Sequence, residues 1–248
     1  GEDYVATSGT LDFVQGQTSA SVSVLINGDT VAEPSDLFTL SFTVPDAIAS
    51  ASLGEATILD DDAGTPTISV AGAATTEGED LVFAVTLSEP ATENITVGFR
   101  LLSGTGQADD DAYFTYSSRS VTFSPGETSK SISVRARPDS LVETDESVVL
   151  EVFSVSSNNA ALAGNATVLR ATGWIIDDDS SNNNLALYTS RPVVVEGDDG
   201  TSQALFEVTL SQPAPQALSL AYETVDGSAI AGEDYVATSG TLDFVQGQ

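Results

Sequence analysis

The sequence predicts an all-β protein made of tandem immunoglobulin-like Greek-key β-sandwiches, and three observations carry that prediction. Apolar residues recur at every second position in short runs, as in Val22, Val24 and Ile26 or Ile132, Val134 and Ala136, which is the period of a half-buried strand. Clusters of Gly, Pro, Asn, Asp and Ser bound these runs, and no stretch of helical length has a 3.6-residue apolar period. The first 17 residues, GEDYVATSGTLDFVQGQ, return unchanged at Gly232 to Gln248, a period of 231 residues that marks a window onto a tandem array.

Cutting after each run of three aspartates, Asp60 to Asp62 and Asp177 to Asp179, divides the chain in three. Residues 1–62 are the C-terminal part of one repeat, 63–179 a complete repeat, and 180–248 the N-terminal part of the next, in which 232–248 duplicates 1–17. In the complete repeat, strand-like runs fall at Thr67 to Val70, Leu81 to Leu87, Ile95 to Leu101, Val121 to Phe123, Ser131 to Ala136, Val148 to Phe153 and Thr167 to Ile176. Seven short strands in one repeat argue for a two-sheet antiparallel sandwich of immunoglobulin type. The split repeat offers the same strands at Leu205 to Leu210, Leu218 to Tyr222, Leu11 to Phe13, Ser21 to Ile26, Phe38 to Phe42 and Ala56 to Leu59. Pro45 to Ala51 has room for a short helical segment. Trp174, in the last strand, is expected to pack in the core or on a sheet face.

A chain of 248 residues with 41% apolar content can bury a core in each repeat without metals or disulfides. Its charge is the anomaly: 37 acids against seven bases leave a net of -30, and repulsion on that scale opposes compactness unless cations neutralise it. Nucleic acid is excluded as a partner, because Arg100, Arg119, Lys130, Arg135, Arg137, Arg170 and Arg191 are too few and too scattered for a basic stripe. No apolar window reaches membrane-spanning length, and the first residues have no signal-peptide pattern. The absence of Met, even at position 1, is read as the mark of a fragment. With neither His nor Cys, imidazole triads, thiol nucleophiles and disulfide frameworks are excluded. No G-x-S-x-G element is present, and paired carboxylates without an aromatic-lined cleft do not suggest glycoside hydrolysis. The chain is not expected to be an enzyme, and the sequons at Asn94 and Asn165 are not expected to carry glycans.

The acids are spaced, not scattered. The loop INGDTVAEPSD of Ile26 to Asp36 is matched by RPDSLVETDE of Arg137 to Glu146, so that Asp29, Glu33 and Asp36 answer to Asp139, Glu143 and Glu146. Both repeats also keep an acid after the first strand (Glu77, Glu196), an acid before an aromatic-containing turn (Asp111; Asp3 and its copy Asp234) and the terminal triplet. The predicted topology gathers Asp111, Asp139, Glu143, Glu146 and Asp177 to Asp179 at one pole. Carboxylates so gathered either raise their pKa values or take up a divalent cation. Oxygen ligands from separate loops suit the irregular six-to-eight-fold shell of Ca²⁺.

As a set, these features resemble the Calx-beta family, the repeat of sodium/calcium exchangers and many bacterial surface proteins. The motifs are the GEDY box (Gly1 to Tyr4 and Gly232 to Tyr235, degenerate at Asp109 to Tyr113), the strand and turn TLDFVQGQTSASVSVLI, the loop INGDTVAEPSDLFTLSF and the closing ATILDDD. They cover nearly the whole chain. The resemblance implies Ca²⁺ held in the complete repeat by Glu77, Asp111, Asp139, Glu143, Glu146, Asp177, Asp178 and Asp179. In the split repeat the matching residues are Glu196, Asp234 or Asp3, Asp29, Glu33, Asp36, Asp60, Asp61 and Asp62. Gly28 and Pro138 stand where exchanger-like loops carry a further acid.

The function expected from this reading is structural. The chain is a segment of a secreted or cell-surface adhesin or fibre, stiffened by calcium at the domain ends, with neighbouring repeats and other copies in a fibre as partners. Two further readings stand beside it: a calcium-sensing regulatory pair, and a self-polymerising subunit whose half-domains are completed between copies.

Overall fold

The alternating runs become strands because each buries one face and solvates the other: β2 and β8 alternate buried and exposed or half-buried residues along their whole length. The computed structural model describes residues 10–11, 18–46, 48–62, 64–108, 110–114, 119–156, 160–179, 185–214 and 216–244. In chain order the strands begin with β1 (Thr10–Leu11), β2 (Ser19–Asn27), β3 (Asp36–Thr43), β4 (Ile48–Ala51) and β5 (Gly54–Leu59). Then come β6 (Thr67–Ala71), β7 (Ala73–Thr76), β8 (Asp80–Leu87), β9 (Ile95–Ser103), β10 (Ala112–Phe114) and β11 (Ser120–Phe123). β12 (Ser129–Ala136), β13 (Glu146–Val155), β14 (Ala161–Leu162) and β15 (Leu169–Ile176) follow. The last are β16 (Leu185–Thr189), β17 (Val193–Val195), β18 (Thr201–Leu210), β19 (Leu218–Asp226) and β20 (Ser239–Phe244).

The chain forms two units: a continuous one of Leu59–Ser180 with Val31–Ser35, and a split one of Gly1–Thr30, Asp36–Ile58 and Ser181–Gln248. The continuous unit packs the sheet β10-β12-β8-β6-β14 against the sheet β11-β9-β13-β15-β7. Its core draws on both, with Leu81, Phe83, Ile132 and Val134 from one and Phe99, Phe123, Leu150 and Ala171 from the other. The first strand of the repeat is broken. β6 pairs antiparallel with β8, and after Gly72 the chain changes sheets as β7 and runs parallel to β15, in register from Ala73↔Gly173 to Thr76↔Ile176. A Cβ on Gly72 would lie 2.3 Å from the Thr172 carbonyl oxygen, so the crossing needs glycine.

On the outer face of that second sheet, Glu151 is fully buried between two arginines. Arg100 Nε donates to Glu151 Oε1 at 2.8 Å and Arg170 Nε to Oε2 at 2.9 Å, each guanidinium adding a second contact through its Nη2. Burial pushes the Glu151 carboxyl up, but the bonds from Arg100 and Arg170 outweigh it and hold the pKa below the ordinary value. Gly173 faces the core, where a Cβ would strike Leu81 and Phe83, so its neighbour Trp174 lies on the opposite face, half-buried.

In the split unit, strands from both ends of the chain close one sandwich. β18 pairs antiparallel with β2 from Thr201↔Asn27 to Thr209↔Ser19, within the sheet β2-β18-β16-β4. The facing sheet is β1-β20-β19-β3-β5-β17. Val22, Val24, Phe38 and Leu40 from the first part meet Phe206, Leu220, Tyr235 and Phe244 from the last in one core. Pro45 to Ala51 is not helical among its described residues. After a turn at Asp46, Ile48–Ala51 is strand β4, paired parallel with β16, because Ile48 is buried in the core and the edge of β16 satisfies its backbone.

Tyr235 is the largest fully buried side chain. Its ring stacks on Phe38 with centroids 4.3 Å apart, and its hydroxyl donates to Asp226 Oδ1 at 2.7 Å. Tyr235→Phe is expected to cost about 1–2 kcal/mol and Tyr235→Ala about 3–5 kcal/mol in denaturant unfolding of the split unit. Equal losses in the two variants would move the stabilisation from the ring to the hydroxyl.

Candidate metal centre

Parallel pairing of β7 with β15 sends both strands out of the sheet at the same end, and each is followed at once by an acid. Glu77 N donates to the Ile176 carbonyl at 3.1 Å, which sets Glu77 beside the start of Asp177 to Asp179. Glu146 opens β13 at the same end, opposite Ile175. Asp111 precedes β10, whose Ala112 pairs with Ala136 at the end of β12, and its carbonyl accepts from Arg137 N at 2.8 Å. Backbone pairing therefore converges the acids of the complete repeat on one pole of the continuous unit.

Carboxylate oxygens of Glu77, Asp139 and Asp179 lie within 4.8 Å of one another. Glu77 Oε2 accepts from Asp139 N at 3.4 Å, and Asp139 Oδ1 accepts from Leu141 N at 2.6 Å, holding the loop that carries it. Asp179 N donates to Asp177 Oδ1 at 3.3 Å. Asp177 itself is buried, 6% exposed, and its Oδ2 has no hydrogen-bond partner among the described residues. Beside this group, Glu146 and Asp111 share a hydrogen bond between carboxyl groups, and Asp111 Oδ2 also accepts from Gln107 N. Gly106 leaves the room they occupy, since a Cβ there would lie 2.8 Å from Glu146 Oε2. Glu143 is exposed and acts on Glu146 through its charge, as Asp178 acts on Glu77 and Asp179.

The electrostatic consequence is strong. Burial raises the Glu77 pKa to about 7, the Asp139 N–H opposing it and the charges of Asp139, Asp177 and Asp178 adding to it. Burial likewise raises Glu146 to about 7, followed by the hydrogen bond and charge of Asp111 and the charges of Glu143 and Glu77. Asp179 is raised by burial and then by Asp178, Asp177 and Asp139. The donor set is all oxygen and anionic, with a buried orphan oxygen in Asp177, and it fits a hard divalent cation.

The split repeat repeats part of the pattern. Asp36, at the start of β3, and Asp234 have carboxylate oxygens within 4.8 Å, and Asp234 Oδ2 accepts from Ile230 N at 2.6 Å as Asp111 does from Gln107. Glu196 follows β17 and is buried, 8% exposed. Asp29 is exposed in the loop after β2. Asp60 is buried, and its two oxygens accept from Glu33 N at 2.9 Å and Asp62 N at 2.8 Å. Asp61 is half-buried, and Asp3 lies outside the described residues. Two acids were missed by sequence reasoning. Asp145 accepts from Asp177 N at 3.1 Å, and its signal was the run Glu143, Asp145, Glu146. Glu89 is raised by burial and by the charges of Asp61 and Asp60, and nothing local in its sequence pointed to the triplet.

Tandem sandwiches with an acid-lined pole are the class that this fold and site define. A family model described as the Calx-beta domain matches residues 1–63, 60–179 and 182–248, and the chain belongs to the Calx-beta family. Among curated proteins it is similar to sodium/calcium exchanger 1 of Canis lupus familiaris and of Bos taurus, in each case 29% identical over 167 residues. That match takes in 62% of this chain and only 17% of the exchanger. Solved structures similar to it include the apo-form Calx CBD1 domain (20% identity, 46% of this chain, 99% of that one, TM-score 0.40). CBD12 from CALX1.2 matches at 13% identity over 71% of this chain and 99% of that one, also with TM-score 0.40.

Without divalent cations, the raised pKa values of Glu77 and Glu146 set the sign of a pH effect. Folding lifts them from 4.5 to about 7, so their contribution to stability is full below the unfolded value and is lost as pH rises through the folded one. In chelator, the continuous unit is expected to melt higher at about pH 5.5 than at about pH 8, with Glu77→Gln and Glu146→Gln flattening the difference. A slope unchanged in both variants would mean that other groups set it.

Proposed function

We propose that the pole of the continuous unit binds Ca²⁺, and that the chain is a structural segment of a secreted or cell-surface tandem array of the adhesin or fibre type. The observation that carries the calcium reading is the buried Asp177 Oδ2, left without a hydrogen-bond partner beside Glu77. A buried anionic oxygen without a donor is costly, and a cation would satisfy it. Glu77, Asp139, Asp177 and Asp179 would hold the ion, with Asp111 and Glu146 available to a second one. The ion would supply positive charge that offsets the mutual repulsion of these carboxylates. Glu77 and Glu146 would give up protons as it binds, making affinity rise with pH.

The family's tandem arrangement, the 231-residue repeat and the absence of His and Cys support a role in length and stiffness, with no catalysis. No helix among the described residues is long and apolar enough to cross a membrane. Neighbouring repeats and other copies in a fibre are the proposed partners. In this reading, neutralising Asp177 to Asp179 couples each sandwich to the linker after it. The likeness to sodium/calcium exchanger 1 favours a second reading, a calcium-sensing pair. The two differ in whether calcium changes the interdomain angle or only its spread, which small-angle scattering resolves.

Calorimetry with and without calcium tests the site. At a hundredfold excess over Kd, bound calcium contributes about 2.7 kcal/mol, a rise of roughly 10 °C or more in the melting of a domain this size. Asp177→Asn and Asp139→Ala are expected to remove most of that rise in the continuous unit. An undiminished rise in both variants would move the ion elsewhere, and no rise in the parent chain would reduce the pole to surface charge.

A further inference from the structure

Two acids of the pole, Glu146 at the start of β13 and Asp111 before β10, come from different elements, and a clasp of hydrogen bonds joins the segments that carry them. Ser147, the residue after Glu146, donates its N–H to Thr105 Oγ1 at 2.8 Å, and Thr105 returns its own N–H to Ser147 Oγ at 3.1 Å. The two hydroxyl oxygens lie 3.2 Å apart, one hydroxyl donating to the other. Gly106 N adds a bond to the Ser147 carbonyl at 3.0 Å. A Cβ on Gly104 would strike that carbonyl, so the turn after β9 is pressed against the backbone of Ser147. β9 stops pairing with β13 at Ser103↔Val148. One position further, the Thr105 hydroxyl takes the place of the missing ladder acceptor.

The split unit carries the same device at the matching positions. There Leu37, the residue after Asp36, donates its N–H to Ser228 Oγ at 2.9 Å, and Ala229 N donates to the Leu37 carbonyl at 3.0 Å. Gly227 is pressed against that carbonyl as Gly104 is against the carbonyl of Ser147. The hydroxyl residue precedes the loop acid by six positions in both units, Thr105 before Asp111 and Ser228 before Asp234. In each, the acid turns back to accept from the N–H two residues after the hydroxyl residue, Gln107 N or Ile230 N. Leu37 has no hydroxyl to return, so the continuous unit closes its clasp from both sides and the split unit from one.

We propose that Thr105 is a positioning residue for the cation site of the continuous unit. Its hydroxyl fixes the start of β13 against the turn after β9 and so holds the carboxyl groups of Glu146 and Asp111 against one another, ready for one ion. The inference rests on the calcium reading above and adds to it a residue that carries no charge. Without the hydroxyl, the two segments would have to be ordered as the ion binds, at a cost in affinity. Thr105 is exposed, so removing its hydroxyl leaves the core untouched.

Full chains carrying Thr105→Val, which removes the hydroxyl, and Thr105→Ser, which keeps it, are compared with the parent by hydrogen exchange over a series of free calcium concentrations. Protection of residues 104–108 reports on Glu146 and Asp111, and that of residues 171–177 on Asp177. Thr105→Val is expected to move the calcium midpoint of 104–108 about tenfold or more upward, and that of 171–177 by less than about twofold. Thr105→Ser should stay within about twofold of the parent at both. Ser147→Ala keeps the bond to Thr105 Oγ1 and is expected to shift 104–108 by about threefold. A merely structural tie would lower the melting point in chelator and leave both midpoints in place. Unchanged midpoints in Thr105→Val, or equal shifts at the two segments, would overturn the proposal and leave calcium binding standing. Protection that responds to calcium nowhere in the parent would overturn it together with the calcium reading.

Discussion

The parallel pairing of β7 with β15 is the constraint on which the rest of the continuous unit depends. An antiparallel partner would leave the sheet at the opposite end from β15 and carry its acid away from Asp177. Because the first strand breaks at Gly72 and crosses between sheets, Glu77 is instead delivered next to the residue that follows Ile176. β13 and the end of β12 then bring Glu146, Asp111 and Asp139 to the same pole through ordinary antiparallel registers. The acids are held there by backbone hydrogen bonds, and burial first, then the charges of their neighbours, raises the pKa values of Glu77, Glu146 and Asp179.

Charge is arranged differently on the sheet face. Glu151 is as acidic a residue as any at the pole, yet its pKa is lowered because Arg100 and Arg170 on the neighbouring strands enclose it. The two environments show the same side-chain chemistry shifted in opposite directions by what surrounds it. At the face, protein cations complete the site. At the pole carboxylates face one another, and the buried Asp177 Oδ2 has no hydrogen-bond partner among the described residues.

The split unit shows that covalent order matters less to this fold than contacts do. Its sandwich is assembled from residues near both ends of the chain, with the same strand neighbours as the continuous unit: β20, β19, β3, β5 and β17 in one sheet stand for β11, β9, β13, β15 and β7 in the other. The core residues of both parts meet because alternation sets which face each strand buries. Ser239–Phe244 holds the core position of its sheet, and Thr10 and Leu11 pair parallel with Thr241 and Leu242.

Much of this was legible in the sequence. Period-two alternation in Val22 to Ile26 or Ile132 to Ala136 is a local property, so strands and their buried faces followed without knowledge of their partners, and the twice-kept spacing of the acids marked Glu77, Asp139 and Asp179 as members of one set. Pairing is not local. The break of the first strand at Gly72, the strand at Ile48–Ala51 where a helical turn had been allowed, and the role of Asp145 as acceptor for Asp177 N all depend on residues distant in sequence. Tertiary structure alone decided them, because a strand's hydrogen bonds are satisfied by its neighbours, and periodicity does not say which neighbours those are.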